Sequence, residues 1–404
     1  MERPMKAIVF HGVGDIRLDT VPDPKLKDDR DVIVRLTSSA ICGTDLHMIR
    51  GTLPGMKEGT VLGHEGVGVV EEVGKGVRNW RKGDRVVIPS TISCGGCSYC
   101  RAGYTAQCDD ANPNGQLAGT AFYGGPASTG PFDGLQAEYA RIPFANSSLV
   151  KLPDGVEDDA AILLSDIYPT GYFGAHIAEI DEGDTVAVFG CGPVGLFAIV
   201  SAFQRGAGRV LAVDGHQDRL EMARAQGAEI INMNEEDPVE AIRELTRGAG
   251  ADRVIDAVGV DAEAPKSGPA AEDNQPTPDM VEKITEETNR KGDLWKPGDS
   301  PMQALEWAVQ AVAKAGTISV IGVYPPTDRF FPIGEAMNKN VTVNMGNANH
   351  RCYIPHLVDM VESGAFDPRG VITQDEPLTD AISAYKTFDQ RKSGWTKVVL
   401  EPSA

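Results

Sequence analysis

Residues 185–195 read TVAVFGCGPVG, a short apolar, β-branched run followed directly by a glycine-rich turn. The run predicts a buried strand, and a helix is predicted to begin near Pro193. The spacing of Gly190, Gly192 and Gly195 permits a tight turn, close approach of the backbone to a pyrophosphate and close packing of helix on strand. The stretch predicts a dinucleotide-binding unit of the Rossmann type, whose cofactor-contacting residues are Gly190, Gly192, Pro193, Val194 and Gly195.

An acidic residue ends the next predicted strand. Asp214 follows Arg209–Val213 and stands nineteen positions after Gly195. A carboxylate there can accept hydrogen bonds from the adenosine ribose hydroxyls, and it would repel a 2′-phosphate. The pattern favours NAD over NADP, with a solvated turn residue as the alternative interpretation of Asp214.

From about Gly183 the sequence changes to an alternation of predicted strands and helices. Such alternation is typical of a parallel sheet covered by helices. The predicted strands are Thr185–Phe189, Arg209–Val213, Glu229–Met233, Arg253–Val258 and Thr317–Gly322, with helices near Pro193, Leu220, Pro238 and Pro301. We therefore expect a doubly wound α/β domain with a parallel sheet.

An acidic segment over residues 260–300 interrupts this domain. A loop of such length inside a compact domain is usually functional or disordered. Thr277-Pro278-Asp279 has the pattern of a helix start, which predicts a short helix over Asp279–Arg290. Our hypothesis is that the insertion covers the adenine side of the cofactor; a solvated acidic flap is the alternative.

Residues 5–150 show short strand-like runs separated by turns, which predicts a β-rich domain. The predicted strands are Lys6–Phe10, Asp31–Leu36, Gly66–Val73, Arg85–Ile88 and Glu138–Ile142. A chain of 404 residues exceeds what one hydrophobic core usually supports. The fold class is therefore α/β, with a β-rich domain beside the parallel-sheet domain.

Four of the seven cysteines form a tight cluster at Cys94, Cys97, Cys100 and Cys108. Four thiolates at this spacing can surround one tetrahedral zinc ion and leave no position for water or substrate. Two disulfides are the alternative, but they need an oxidising compartment, and the N-terminus lacks the pattern of a signal peptide. We expect a closed, structural zinc site.

A second, open metal site is indicated by Cys42 and His64. A hydroxyl and an imidazole, on Thr44 and His47, follow the cysteine closely, and Glu65 adjoins the histidine. A catalytic zinc needs three protein ligands, one exchangeable position and polar groups around them. A lone cysteine or histidine is more often a core residue, so the prediction depends on these neighbours.

Three motifs together resemble the zinc-containing medium-chain alcohol dehydrogenases. They are the segment Cys42-Gly43-Thr44-Asp45-Leu46-His47, the pattern Gly63-His64-Glu65-x-x-Gly68-x5-Gly74 and the four-cysteine lobe. The resemblance covers essentially the whole chain. It implies a GroES-like zinc catalytic domain made of residues 1–155 and 330–404, a Rossmann domain over 156–329, and a homo-oligomer, with a tetramer preferred over a dimer.

The resemblance also suggests the third ligand of the open site. Many members present a cysteine where this chain has Asp166, and an aspartate at that place resembles the branch of glutathione-independent formaldehyde dehydrogenase and formaldehyde dismutase. A helix N-cap is the alternative for Asp166. Glu65 is expected to stand beside the metal ligands and to bind the metal only transiently.

The activity implied by the resemblance is hydride transfer between NAD and a small alcohol or hydrated aldehyde, with formaldehyde favoured. Thr44 and His47 would relay the proton, although His47 could instead be an ordinary surface histidine. Positional transfer adds further cofactor contacts at Val258, Gly259, Gly322, Val323 and Arg351, whereas His350 and His356 are expected to be structural. The alternatives are a polyol or amino-alcohol dehydrogenase, an aldehyde dismutase with retained NAD, and a non-catalytic relative.

The overall charge limits the partners. The formal net charge is −20 and the pI is near 4.8, so a nucleic-acid backbone or an anionic membrane would repel the protein. No stretch approaches eighteen uninterrupted apolar residues, and no transmembrane helix is expected. We predict a cytoplasmic protein that acts on a small molecule.

Overall fold

The computed structural model describes residues 4–115, 117–273, 294–326 and 331–402. They form two compact units. The first comprises the described residues of Met1–Pro169, Asn289–Trp295 and Ala348–Ala404, and the second those of Thr170–Thr288 and Lys296–Asn347. The main boundaries between the units thus fall after Pro169 and before Ala348. The sequence had suggested boundaries after residue 155 and before residue 330.

The first unit is β-rich. Strands β1 (Pro4–Gly12) and β2 (Asp15–Pro22) form an antiparallel pair. A mixed seven-stranded sheet has the order β14 (Gln374–Pro377), β15 (Val398–Glu401), β3 (Val32–Ile41), β4 (Gly66–Val73), β5 (Arg85–Ile88) and β7 (Val150–Lys151), with β6 (Tyr139–Ile142) also pairing with β3. Strand β3 runs beyond the predicted Leu36 because its last four residues are buried and continue the apolar core.

Short helices join these strands and complete the first unit. They are α1 (Gly43–Arg50), α2 (Ser98–Arg101), α3 (Asp158–Leu163), α11 (His350–Glu362) and α12 (Ala381–Asp389), while α4 (Ile167–Ile177) is divided between the units. Residues 45–50 of α1 are all buried. The ends of β3 and α1 therefore lie inside the unit, where polar side chains need partners.

The second unit contains a six-stranded parallel sheet in the doubly wound Rossmann order. The order is β10 (Glu229–Asn232), β9 (Arg209–Asp214), β8 (Thr185–Phe189), β11 (Ala251–Asp256), β12 (Val312–Val320) and β13 (Thr342–Met345); the helices are α5 (Pro193–Gln204), α6 (Gln217–Ala225), α7 (Pro238–Leu245), α8 (Pro269–Asp273), α9 (Gln303–Ala311) and α10 (Ile333–Asn338). The predicted α/β class, a β-rich GroES-like domain and a Rossmann domain, is confirmed.

Strand β11 ends two residues earlier than predicted. The Asp256 carboxylate accepts hydrogen bonds from the backbone N–H groups of Val258 and Gly259, at 2.9 and 3.2 Å. Gly259 has a φ of +78°. The side chain thus closes a tight turn, and the chain leaves the sheet at Asp256.

The described beginning of the insertion packs within the second unit. The backbone N–H of Lys266 donates to Asn234 Oδ1 at 2.7 Å, and the Ser267 hydroxyl donates to the Asn234 carbonyl at 2.8 Å. Glu263 lies 3.5 Å from His216, just beyond the end of β9. The predicted helix at Asp279–Arg290 lies outside the described residues, and the covering role stays a prediction.

No helix within the described ranges has both the length and the apolar character needed to cross a membrane.

Candidate functional site

The predicted ligands of the open site come together in the first unit. Cys42 follows β3, His64 and Glu65 precede β4, and Asp166 precedes α4. One donor atom from each of these four residues lies within 4.8 Å of the others, and all four residues are buried. Asp166 also occupies the position of a helix N-cap, so a capping role is compatible with a place in this cluster.

The two carboxylate oxygens of Asp166 face different groups. Oδ2 lies 3.7 Å from Cys42 Sγ and 3.5 Å from His64 Nε2. Oδ1 lies 2.8 Å from both the Ser90 hydroxyl and His350 Nε2. One oxygen is therefore directed at the other candidate ligands while its twin is held by polar side chains.

Asp45 links the other two ligands. Its Oδ2 accepts a hydrogen bond from the Cys42 backbone N–H at 3.0 Å and one from Gln136 Nε2 at 3.2 Å. Its Oδ1 lies 3.1 Å from His64 Nδ1, at an ion-pair distance. A carboxylate beside Nδ1 would leave Nε2, which lies 3.5 Å from Asp166 Oδ2, available to a metal.

Glu65 is held by a lysine. Lys397 Nζ donates to both Glu65 oxygens, at 2.6 and 2.7 Å, and to the Ile41 carbonyl at 3.2 Å. Both side chains are fully buried. Burial raises the pKa of Glu65, while the ammonium opposes that rise. The ammonium therefore compensates for the charge of Glu65 inside the unit, and the role of Glu65 towards a metal stays a prediction.

Burial and neighbouring charges set the protonation of the cluster. Burial raises the pKa of the Cys42 thiol. Burial would lower the pKa of His64, but Asp45 and Cys42 raise it well above its usual value. Burial would raise the pKa of Asp166, yet hydrogen bonds from His350 and His64 hold it well below normal.

This donor set fits zinc. A thiol, an imidazole and a carboxylate are the three kinds of zinc ligand in proteins. Glu65 has the Lys397 ammonium as its partner, whereas Cys42 and Asp166 bring two further acidic groups together in a buried space, where uncompensated charge is costly. A divalent cation would compensate for them, and Cys42, His64 and Asp166 would hold it.

The closed site is also assembled. The sulfur atoms of Cys94, Cys97, Cys100 and Cys108 lie within 4.8 Å of one another. All seven cysteines of the chain are free, so the disulfide alternative is wrong for this structure. Burial raises the pKa of Cys94 to about 12; for Cys97 burial is outweighed by backbone N–H groups of Cys100 and Asp109, which lower the pKa to about 7.

The predicted relay residues lie on α1. Thr44 is half-buried in its first turn, and His47 lies three residues further along. His47 is only 6% exposed, so the alternative interpretation of a surface histidine is wrong: this face of α1 packs into the unit. His47 Nδ1 lies 3.3 Å from the Thr52 hydroxyl, which gives the imidazole a polar neighbour.

The glycine motif has its predicted place between β8 and α5. Gly190 has a φ of +89°, and Pro193 is the first residue of α5. A Cβ on Gly195 would collide with the Gly190 carbonyl oxygen. At Gly192 a Cβ would meet nothing closer than an Arg219 nitrogen at 3.9 Å. Gly195 is needed for packing, whereas Gly192 leaves open space at the helix N-terminus, which suits an anion.

Several predicted cofactor residues lie in the same unit. Asp214 ends β9 and accepts hydrogen bonds from the backbone N–H groups of Cys191 and His216, at 2.7 and 2.8 Å. A Cβ on Gly259 would lie only 2.5 Å from the Val323 nitrogen. The structure therefore brings together the loops that carry Val258, Gly259, Gly322 and Val323.

Arg351 was also predicted to contact the cofactor. It belongs to α11 in the first unit and lines a cleft of about 510 Å³ together with Trp80 and Lys151. Its contact with pyrophosphate stays a prediction.

Sequence reasoning missed several polar residues of the open site. His350 was expected to be structural, but its imidazole contacts Asp166; His356 is exposed. Lys397 precedes an apolar run, where a buried lysine has no distinctive pattern. Asp45 stands inside the cysteine motif, and its position three residues after Cys42 was a usable signal of a capping carboxylate.

Known proteins share the whole architecture. Residues 28–154 match the alcohol dehydrogenase GroES-like domain, and residues 193–268 match the zinc-binding dehydrogenase family. An uncharacterized zinc-type alcohol dehydrogenase-like protein of Bacillus subtilis is 40% identical over 402 residues, which cover 98% of this chain and 100% of that protein.

Two characterised proteins are also similar. A glutathione-independent formaldehyde dehydrogenase of Pseudomonas aeruginosa is 37% identical over 330 residues, covering 78% of this chain and 80% of that protein. The solved structure of alcohol dehydrogenase TADH from Thermus sp. ATN1 has a TM-score of 0.80 and 33% identity, covering 98% of this chain and 99% of that one.

These matches agree with the geometry of both metal sites. The prediction of zinc is supported by the match to the zinc-binding dehydrogenase family and by the two ligand clusters. The chain belongs to the zinc-containing medium-chain alcohol dehydrogenases.

Proposed function

We propose that this protein is an NAD-dependent dehydrogenase of small alcohols or hydrated aldehydes, with formaldehyde as the favoured substrate. The observation that carries the proposal is the Asp166 carboxylate beside Cys42 and His64 in one buried cluster. A carboxylate donates less charge than a thiolate, so the metal stays a stronger Lewis acid. The similarity to a formaldehyde dehydrogenase supports the aldehyde.

Zinc held by Cys42, His64 and Asp166 would act as a Lewis acid on the substrate oxygen, and NAD would accept the hydride. Asp45 fixes the orientation of the His64 ring, and Lys397 keeps Glu65 beside the ligands without requiring it to bind. The substrate must also lose a proton from a buried place. Thr44 would take that proton and pass it towards His47, in the role of a relay.

The burial of His47 changes the last step of this relay. At 6% exposure the imidazole has little contact with bulk water. The half-buried Thr52, whose hydroxyl lies 3.3 Å from Nδ1, is the polar group through which the proton would leave. We therefore add Thr52 to the proposed route.

An aldehyde can lose hydride only after hydration to a geminal diol, and formaldehyde hydrates readily. The diol presents the same hydroxyl and C–H bond as an alcohol, so one site would serve both substrates. If NAD stays bound between turnovers, a second aldehyde could be reduced, and the net reaction would be dismutation. Asp214 at the end of β9 supports NAD over NADP, because its charge would repel a 2′-phosphate.

A cytoplasmic location and a homo-oligomer, preferably a tetramer, complete the proposal. Seven free cysteines suit a reducing compartment. Large apolar side chains near the outer strand of the parallel sheet are exposed, namely Ile333, Met337 and Met345. Such exposure suits a surface between subunits.

The test measures zinc per chain and then absorbance of reduced nicotinamide on addition of formaldehyde, with and without added NAD. We expect about two zinc ions per chain from the two ligand clusters, and signal only with added NAD. Aldehyde consumption without added NAD would instead indicate dismutation. Turnover of polyols or amino alcohols but not formaldehyde would overturn the substrate assignment, and no turnover of any of them would overturn the activity.

A further inference from the structure

His350 contacts a predicted metal ligand from a distant part of the chain. It is the first residue of α11 and is 3% exposed. Its Nε2 lies 2.8 Å from Asp166 Oδ1, and its Nδ1 lies 3.1 Å from the Thr91 hydroxyl. Both ring nitrogens therefore have polar neighbours inside the first unit.

The loop after β5 supplies the other contacts to the same carboxylate. The Ser90 hydroxyl donates to Asp166 Oδ1 at 2.8 Å, and the Ser90 backbone N–H donates to the Ser165 carbonyl at 3.0 Å. Ser90 thus fixes both the side chain of Asp166 and the backbone before it. Ser90 and Thr91 are both buried, so bulk water has little access to these contacts.

One hydrogen-bonding arrangement satisfies these contacts. A donor at Nε2 suits the carboxylate, and Nδ1 then accepts a hydrogen bond from the Thr91 hydroxyl, so both neighbours of the ring are satisfied. Oδ1 receives the Ser90 and His350 donors. Oδ2 faces Cys42 and His64, and a metal there would be bound through that oxygen.

We propose that Thr91, His350 and Ser90 position Asp166 as a one-oxygen metal ligand, with His350 as the principal donor. The proposal rests on the proposed function, since it requires Asp166 to bind the metal. A carboxylate without these donors could rotate or bind through both oxygens. Groups that orient metal ligands typically contribute 10–100-fold to metal affinity.

Cobalt(II) is a suitable probe because its visible spectrum reports the ligands and geometry of the site. The full-length protein is stripped of metal, the four-cysteine lobe is refilled with zinc, and Co²⁺ is titrated into the remaining site. Cys42→Ser identifies the bands that belong to the open site. His350→Ala is compared with His350→Gln, which keeps an N–H donor, and with His356→Ala, an exposed histidine on the same helix.

We expect H350A to bind Co²⁺ roughly 10–100-fold more weakly and to change the band positions, with substantial recovery in H350Q and none of these effects in H356A. Thr91→Val should weaken binding in the wild type but add nothing to H350A, because Thr91 acts through His350. Purely structural damage would instead give additive losses and a lower unfolding temperature without changed bands.

The outcomes separate the two proposals. If the wild type shows no Cys42-dependent cobalt bands, the open metal site and with it the proposed function fail. If the wild type binds Co²⁺ but H350A has the same affinity and spectrum, only the positioning role of His350 is overturned. Additive effects of T91V and H350A would overturn the hydrogen-bonded chain.

Discussion

At the scale of single residues, Lys397 and Glu65 form a buried ion pair beside the candidate metal ligands. Removing one member of such a pair leaves an uncompensated buried charge, which typically costs about 3–5 kcal/mol of stability. We expect the Lys397→Met variant to lose about that much stability. The double variant, Lys397→Met with Glu65→Gln, should recover most of the loss. Urea unfolding of the two variants and of Glu65→Gln completes the cycle.

A matched control is the exposed pair Lys82–Glu71, whose amino group lies 2.9 Å from the carboxylate with the lysine 72% exposed. Solvent screens such a pair, so Lys82→Met should leave the unfolding midpoint unchanged. Equal effects of K82M and K397M would contradict the importance of burial.

At this scale the candidate metal ligands could be predicted from the sequence, but the residues that contact the site from the C-terminal segment could not. Cys42, His64 and the four-cysteine lobe stand in short motifs, because zinc geometry restricts spacing along the chain. His350 and Lys397 reach the site only because the C-terminal segment packs within the first unit. Neither has a local pattern that distinguishes a partner of a ligand from a core or surface residue.

At the scale of elements, two glycines of the turn between β8 and α5 have different roles, one in packing and the other in cofactor binding. Gly195→Ala should destabilise the second unit by about 1–3 kcal/mol, because its Cβ has no space beside the Gly190 carbonyl. Gly192→Ala should leave unfolding unchanged, since its backbone has a φ of −66° and the surrounding space is open. It should nevertheless weaken NADH binding, measured by fluorescence, where the backbone approaches the pyrophosphate. Equal stability of both variants would contradict this division.

The turn after β11 gives a pH dependence. Burial raises the pKa of Asp256, although Val258, Tyr324 and Gly259 oppose the rise with hydrogen bonds. Because the pKa of Asp256 is raised in the folded state, this residue contributes most favourably to folding stability below its usual pKa of 3.8. That contribution is lost as pH rises through the raised pKa. Asp256→Asn removes this titration.

As pH rises above 3.8 towards the raised pKa of Asp256, the unfolding midpoint of D256N should therefore increase relative to that of the wild type. Thermal unfolding of both proteins, followed from about pH 4 upwards, measures this shift. A difference that stays constant with pH would show that Asp256 does not titrate in this range.

Strand and helix types were predictable because each strand of the parallel sheet is a short apolar run between turn signals. The predictions failed at element ends, where side chains decide: the Asp256 carboxylate ends β11, and β12 begins at Val312 where Thr317 was expected. The first unit's irregular loops, such as Ser90-Thr91, had no pattern from which their contacts could be predicted.

At the scale of the whole molecule, the exposed apolar side chains near the sheet edge bear on assembly. Ile333 and Met337 are each 71% exposed and lie one turn apart on α10, which precedes the outermost described strand, β13. Two exposed apolar side chains on one helix suit a surface between subunits. We expect Ile333→Lys with Met337→Lys to lower the mass measured by sedimentation, because the added charges would have to be buried between subunits. Leu245→Lys, on α7 and 38% exposed, is the matched control and should not alter the mass; an unchanged mass in the double variant would exclude α10 from the subunit interface.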